Sequence, residues 1–438
     1  MGFALTVCYV ILTVISPDQF GPWVNDFHPM LFLAGVISIV SLPAFLDREH
    51  LWSSSQTFLL IGFTIAIALS HVAHGWFGGA MRSWLLFLPA ASMYFFIVAN
   101  VTTTRRLRIL MAAIVASCLF VAVEAMLGYY AGFGGNTFVL PRGVYFHDHF
   151  VAQFFQIRSI GFLNDPNDLA QMLIIALPLV FVSRRGRKLA TSLLLALVPC
   201  VLLLWAIYLT HSRGALLGLA VLTLMAVRRR LPTTVSIILV GVLVMAMLAL
   251  NFAGGRGISI SDGEDRLEAW SNGLQMFKSA PVFGVGFGAF TERNNYLTAH
   301  NSLVLCLAEL GLVGSTIWVA LLVTTAVGLN NIKGPDAAQE NKEGQDHTQL
   351  ASEKEQELPV PSYWITAVYM ALISFITTSW FLSRSYSITM YLLLGLATAT
   401  IAIQRSGGEI HHRNNWLLLT LTAEAAGILF IYGTVRLR

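Results

Sequence analysis

Three short stretches hold the side chains best suited to grip an anion and move a proton. They are His211-Ser212-Arg213-Gly214, Arg266-Leu267-Glu268-Ala269-Trp270, and His300-Asn301-Ser302 with Glu309 beyond it. A guanidinium is always charged and offers two parallel N–H donors, so it suits a phosphate or diphosphate better than the point charge of a lysine. A nearby imidazole can serve as a general base or donate to a phosphate oxygen. The chemistry implied is transfer at a phosphate-bearing group.

Each stretch also has a purely structural account. Ser212 is an N-cap for the apolar segment that follows, so an anion there would meet Arg213 and a positive helix end together; pairing of Arg213 with lipid headgroups competes with that. Ser261-Asp262-Gly263-Glu264 reads as a capping box for a helix running to about Lys278. Along that helix Arg266, Trp270, Gly273 and Phe277 share one face with Leu267 and Leu274, opposite Glu264, Glu268, Ser271 and Gln275. Such a helix is expected to lie along the membrane interface with Arg266 at headgroup depth; a snorkelling arginine without a ligand competes. His300 precedes Asn301 and Ser302, either of which can cap the next segment. Glu309 falls about 12 Å further along it by helix rise, and an intramembrane carboxylate is a site hypothesis by default, as are Glu124 and Glu424.

Other motifs read as structure first. Asp165-Pro166-Asn167-Asp168 predicts a helix start, with Asp165 as N-cap, Pro166 at the first position and Asp168 reaching back. Gly284, Gly286 and Gly288 alternate in a run that either presents N–H groups to an anion or makes a tight turn. His147-Asp148-His149 lacks a nearby Cys or Glu to complete a metal set, and no metal or cofactor is expected.

These residues need a scaffold, and composition dictates which kind. Of 438 residues 56% are hydrophobic and 11% charged, too little polar surface to solvate a soluble domain of this size. The prediction is an all-α, polytopic transmembrane bundle forming one integral membrane domain over 1–438, since helices satisfy their own backbone in hydrocarbon. Apolar runs place spans at Phe3 to Ile15, Pro29 to Leu46, Thr57 to Ala73, Trp84 to Val101 and Leu107 to Tyr130. Others lie at Leu169 to Val182, Leu189 to Leu209, Ala215 to Val227, Thr233 to Phe252, Ser302 to Leu329, Tyr363 to Leu382, Ile388 to Ile403 and Trp416 to Tyr432, twelve or thirteen in all. The apolar start, without a basic leader, reads as the first span. Cys8, Cys118, Cys200 and Cys306 are scattered singly and read as small apolar residues.

Orientation follows from the basic loops. Arg48, Arg105 to Arg108, Arg184 to Lys188, Arg228 to Arg230 and Arg405 to Arg413 fall on one side if spans alternate, which makes that side cytoplasmic. Loops 131–168 and 253–300 then face outward, and the polar stretch 330–361 is a disordered cytoplasmic connector. Nine of the 27 basic residues face outward: Arg82, Arg142, Arg158, Arg213, Arg256, Arg266, Lys278, Arg293 and Arg384. Eight of those are arginine, which is the anomaly a phosphate ligand would explain. No internal repeat is visible.

Taken in order, His211-Ser212-Arg213-Gly214-Ala215, then Arg266 to Trp270 with Pro281 and Gly284-Val285-Gly286, then Ala299-His300-Asn301-Ser302 with Glu309, Gly311 and Gly314, resemble the O-antigen ligase and polymerase superfamily. Arg158 to Phe162 and Asp165 to Ala170 resemble a further motif of ligase-like members, so the resemblance runs over about Arg158 to Gly314. It implies transfer of a glycan from undecaprenyl diphosphate to an acceptor hydroxyl on a glycan, lipid A core or protein. The reaction would take place at the periplasmic face of a bacterial inner membrane, without metal or nucleotide sugar and with no nucleic acid partner. It assigns Arg213 and Arg266 to the diphosphate and His300 to the acceptor hydroxyl or the leaving group, with Arg158, Asn301, Glu309, Trp270 and Gly286 as substrate-binding candidates. Ligase and polymerase remain open, and a flippase of lipid-linked sugar is the competing class, expected to show repeats and broken spans.

Overall fold

In a bilayer each segment must pair its own backbone groups, and the apolar segments of this chain do so as helices. The computed structural model describes residues 1–16, 28–46, 51–146, 149–184, 189–249, 252, 260–295, 297–332, 359–406 and 415–437. In chain order the elements are α1 Gly2–Ile15, α2 Pro29–Val40, α3 Leu42–Leu46, α4 Ser55–Val72, α5 Phe77–Asn100 and α6 Thr104–Ala131. A hairpin of β1 Val139–Phe146 and β2 His149–Ile157 precedes α7 Pro166–Leu179, α8 Leu189–Leu209, α9 Arg213–Val227 and α10 Thr233–Ala249. The rest are α11 Ile260–Ser279, α12 Ala289–Arg293, α13 Ser302–Asn331, α14 Ser362–Ser379, α15 Ile388–Ser406 and α16 Trp416–Arg436.

Among the described residues seven helices, α4, α5, α6, α13, α14, α15 and α16, are long and apolar enough to cross a membrane. Six shorter apolar helices lie on α1, α2, α7, α8, α9 and α10, so the expected twelve or thirteen crossings depend on them. The apolar windows of α13 and α15 are 78% buried and that of α16 is 22% buried, which puts the first two at the centre and α16 at the rim. At that rim Leu418, Leu429 and Phe430, and on α10 Ile238, Val242 and Met245, are exposed. Aliphatic surface on that scale needs hydrocarbon around it. Inside, small residues admit close approach, as where Gly218 of α9 meets Thr378 and Ile174, and Gly395 of α15 meets Tyr94 and Ile97.

Local contacts group some of the basic residues with other helix ends. The Arg106 guanidinium sits 5.5 Å from the Phe3 ring centroid and donates to the Asn100 carbonyl at 3.1 Å, so the chain start and the Arg105 to Arg108 run share one end. Arg229, after α9, donates to Thr366 Oγ1 at 2.9 Å near the start of α14.

The all-α expectation needs one correction, the antiparallel hairpin in the segment 131–168. Its strands pair from Val139↔Ile157 to Phe146↔His149, with an irregularity between Val144 and Tyr145. Valine, tyrosine and phenylalanine recur through both strands, a strand-forming composition that was masked by the Pro141 and Gly143 breaks in so short a run. The hairpin is seated by Gln156, which donates to the Thr210 carbonyl at 2.7 Å and accepts from Arg142 Nε at 3.2 Å. Most of His147-Asp148-His149, of the runs Arg184 to Lys188 and Arg405 to Arg413, and of the loop 330–361 lies outside the described residues. So do the side chains of Ser261 and Asp262, although α11 itself begins at Ile260, close to the expected start.

Candidate functional site

Three helices begin at one end of the bundle, each capped as its sequence predicts. Asp165 Oδ1 accepts from the Asn167 N–H at 2.8 Å ahead of α7, with Pro166 at the first helical position. Ser212 Oγ accepts from the Ala215 N–H at 3.3 Å ahead of α9. Asn301 Oδ1 accepts from the Val304 N–H at 2.9 Å ahead of α13. A helix start carries unpaired N–H groups and the positive end of the macrodipole, so three together favour an anion.

Side-chain bonds hold these starts together. Ser212 Oγ donates to Asn167 Oδ1 at 2.7 Å, joining α9 to α7. The turn between α14 and α15 is stitched to α13: Ser302 Oγ donates to the Leu382 carbonyl at 2.6 Å and accepts from the Arg384 N–H at 2.8 Å, and Ser385 Oγ donates to the Ser302 carbonyl at 2.7 Å. The Arg384 side chain then ion-pairs with Asp168, with Asp165 Oδ1 3.9 Å away. Asp168 therefore meets this arginine instead of reaching back to its own helix start, a correction to the capping expectation. On the other flank, a Cβ at Gly214 would lie 4.0 Å from Phe381, which sets the first turn of α9, with Arg213, against the same turn.

His300 stands beside this assembly, exposed, with Nε2 3.4 Å from Thr298 Oγ1. Its backbone is left-handed at φ 49°, as is that of His211 at φ 49°. A non-glycine residue in that region is strained, and it persists here because Asn301 fixes the chain immediately after it. The His300 pKa lies below the ordinary 6.5; desolvation is the main cause, followed by the positive charges of Arg266 and Arg384, while Asp165 and Asp265 act in the opposite sense. Arg266 and His300, 34 positions apart in sequence, thus share one electrostatic environment. The ring is neutral at pH 7 and able to accept a proton.

Arg266 is held by α11. The expected faces of this helix are observed: Trp270 and Leu274 are buried, while Glu264, Glu268 and Gln275 are exposed. What the apolar face meets was not foreseen. It docks on α13 at Gly273, where a Cβ would come within 2.4 Å of Val304 and 3.1 Å of Phe290. The helix is thus anchored to the same element as His300, and Asn272 Nδ2 adds a bond to Asn294 Oδ1 at 2.7 Å.

Below His300, α13 is broken at Gly311 (φ 62°, ψ −160°), and the Gly-rich run 281–288 fills the break. Val285 N–H and Gly286 N–H donate to the Ala308 and Glu309 carbonyls at 2.9 and 3.1 Å, while Leu312 and Val313 N–H donate to Pro281 and Val282 at 2.9 and 3.2 Å. Groups that an intact helix would pair internally are thereby satisfied by the inserted loop. Two residues that the sequence reading missed clamp that loop from α4 and its end: His71 Nε2 lies 3.1 Å from the Phe287 carbonyl and His74 Nε2 2.8 Å from the Gly284 carbonyl. Histidines three apart at the end of a span were their only sequence signal. Gly311→Ala is expected to destabilise the protein by about 2 to 5 kcal/mol, because a side chain there meets the Val282 backbone at 2.5 Å in a left-handed conformation. Thermal unfolding in detergent measures it, and an unshifted midpoint would mean the loop can leave the break.

Several residues expected to contact substrate carry structural bonds. Gly286 spends its N–H on Glu309, so the alternating glycines make a tight inserted turn and not an anion nest. Glu309 is buried and accepts from the Phe290 N–H at 3.1 Å, and Asn301 is fully buried, with its amide donating to the Trp380 carbonyl at 3.0 Å. Trp270 is packed inside, and Arg158 donates to the Thr137 and Asn136 carbonyls at 3.0 and 3.2 Å, securing the turn ahead of the hairpin. Glu424 accepts from Ser315 Oγ at 2.5 Å and Thr316 Oγ1 at 2.7 Å, a bond between α16 and α13. The structure places Arg266 and Arg384 where their charges act on His300, and sets the helix start that carries Arg213 against the turn that carries Arg384. Only its place among the outward arginines pointed to that last residue.

Residues 198–319 match the family model described as O-antigen ligase, a stretch that includes Arg213, Arg266, His300 and Glu309. The resemblance to the O-antigen ligase and polymerase superfamily is thereby shown over that part of the chain. No curated protein matches the chain.

Proposed function

We propose that this multi-pass membrane protein transfers a glycan from undecaprenyl diphosphate to an acceptor hydroxyl at the outer face of a bacterial inner membrane. The observation that carries the reading is the joining of three helix starts, one of which bears Arg213, beside a neutral His300 that lies within the influence of Arg266. In the step proposed, the acceptor oxygen bonds to the anomeric carbon as the bond from that carbon to the diphosphate oxygen breaks. His300 takes the hydroxyl proton, and Arg213 and Arg266 with the helix ends hold the charge that develops on the leaving diphosphate. Attack from the side opposite the leaving group inverts the anomeric centre.

The break in α13 is the one feature that a transporter would share, since transporters expose carbonyls of unwound helices to their cargo. Here the Ala308 and Glu309 carbonyls are taken by Val285 and Gly286, which leaves the break serving the loop. The family match supports the enzyme reading as well.

The test is expression in a bacterial strain lacking its own ligase and polymerase, with surface polysaccharide resolved on a gel. Single repeat bands becoming a ladder indicate polymerisation, and lipid A core acquiring long chains indicates ligation. An unchanged pattern from each of several donor strains, with the protein present in the membrane, would overturn the proposal.

A further inference from the structure

Asp165-Pro166-Asn167-Asp168 starts α7, and the transfer step above asks nothing of it. Its side chains nevertheless reach both halves of the site. Asn167 accepts from Ser212, the residue before Arg213. Asp168 and Asp165 face the Arg384 guanidinium, and the Arg384 N–H is bonded to Ser302, two residues after His300. We infer that Asp165, Asn167, Asp168 and Arg384 are positioning residues that together form a bracket, setting the α9 start with Arg213 at a fixed separation from the α13 start with His300. The inference rests on the assignment of Arg213 to the diphosphate and of His300 to the acceptor.

A bracket is worth having because a displacement of about 1 Å between reacting groups can cost about 100-fold in rate. Helices that meet mainly through small and aliphatic side chains can slide, whereas a guanidinium fork on carboxylates is directional. The pair is well placed for this, with side chains 24% and 14% exposed for Arg384 and Asp168. Arg384 is also unsuited to be another anion grip, since two carboxylates already face its single positive charge. The charged groups acting on His300 are Arg266 and Asp265 from α11, Arg384 from the turn after α14, and Asp165 ahead of α7.

The experiment compares Arg384→Gln, Asp168→Asn and the double variant in the full chain. Each single variant should lower kcat at least about tenfold with KM for lipid-linked donor within about twofold, and the double should fall no further than the worse single, because one contact is broken either way. A readout independent of transfer is the pH midpoint of His300 modification by diethyl pyrocarbonate, followed by peptide mass spectrometry. The midpoint should rise in Arg384→Gln, which loses a positive charge. It should rise in Asp168→Asn as well, since the released arginine no longer stays beside the ring; removal of a negative charge alone would lower it. A kcat within twofold of the parent in folded variants, losses that multiply in the double, or a midpoint that stays or falls in Asp168→Asn would overturn the bracket. Should a lone unpaired charge prevent folding of a single variant, the double variant leaves no unpaired charge, and a parent-like kcat and midpoint in it overturn the bracket equally. A parent chain with no transfer, but with the expected midpoint shifts, would count against the proposed function and not against the bracket.

Discussion

Arg266→Lys is expected to lower turnover about 30- to 150-fold, because a lysine keeps the charge but cannot bond two phosphate oxygens at once. The magnitude is the loss of one charge-assisted contact, about 2 to 3 kcal/mol, expressed as a rate. The measurement is steady-state transfer by purified protein from lipid-linked glycan. Folding should be unchanged, since α11 is held by Trp270, Leu274 and the close approach of Gly273 to Val304, and Lys keeps the charge at 266. The pH profile should keep its midpoint too, because the positive charge that acts on His300 remains. Full turnover in the Lys variant would reduce Arg266 to an interfacial anchor.

His300→Gln has the larger expected effect, a loss of about 100- to 10,000-fold, the usual contribution of a general base. Gln preserves a hydrogen-bonding group of similar reach but accepts no proton near neutral pH. The direction of the parent's pH dependence tests the role separately. Desolvation, Arg266 and Arg384 lower the His300 pKa below 6.5, so the neutral ring predominates at pH 7. As a base it gives a rate that rises with pH through a midpoint below 6.5 and then levels off. As a cation gripping the diphosphate it would give the reverse, activity at low pH that disappears as the ring deprotonates. Near-native turnover in a folded Gln variant would leave position 300 as a strained turn ahead of a cap and place the acid–base chemistry elsewhere.

Much of this architecture is local and therefore legible in sequence. An apolar run of sufficient length must be a helix in hydrocarbon, and every apolar helix of the structure falls on a run that can be read by eye. Caps are equally local, which is why Asp165, Ser212 and Asn301 act where their sequences place them. The periodicity of 261–278 fixes which side of α11 is buried, because side chains three and four apart share a face whatever that face meets. The three motif residues, Arg213, Arg266 and His300, were selected by the order of their motifs and the resemblance those motifs carry.

What the sequence could not decide was every relation between distant segments. Loop 281–288 inserts into α13 at Gly311 through backbone groups, which carry no residue-type signature, so the bond from the Gly286 N–H to the Glu309 carbonyl could not be read from sequence. Asp168 looked like a local cap because its partner, Arg384, is 216 positions away, and a local bond is the only one that sequence spacing can suggest. Asn301 and Trp270 were chosen by adjacency to His300 and Arg266, yet a side chain one or four positions from a candidate residue points wherever packing sends it, here into the protein. The hairpin was hidden because strands are stabilised by pairing across a turn and not within themselves. Composition and periodicity thus determined a membrane helical protein and offered arginines and a histidine as candidates for one face. Tertiary contact decided which of its polar residues stand at that face and which only hold the others there, because that choice depends on which distant backbone groups and charges need a partner.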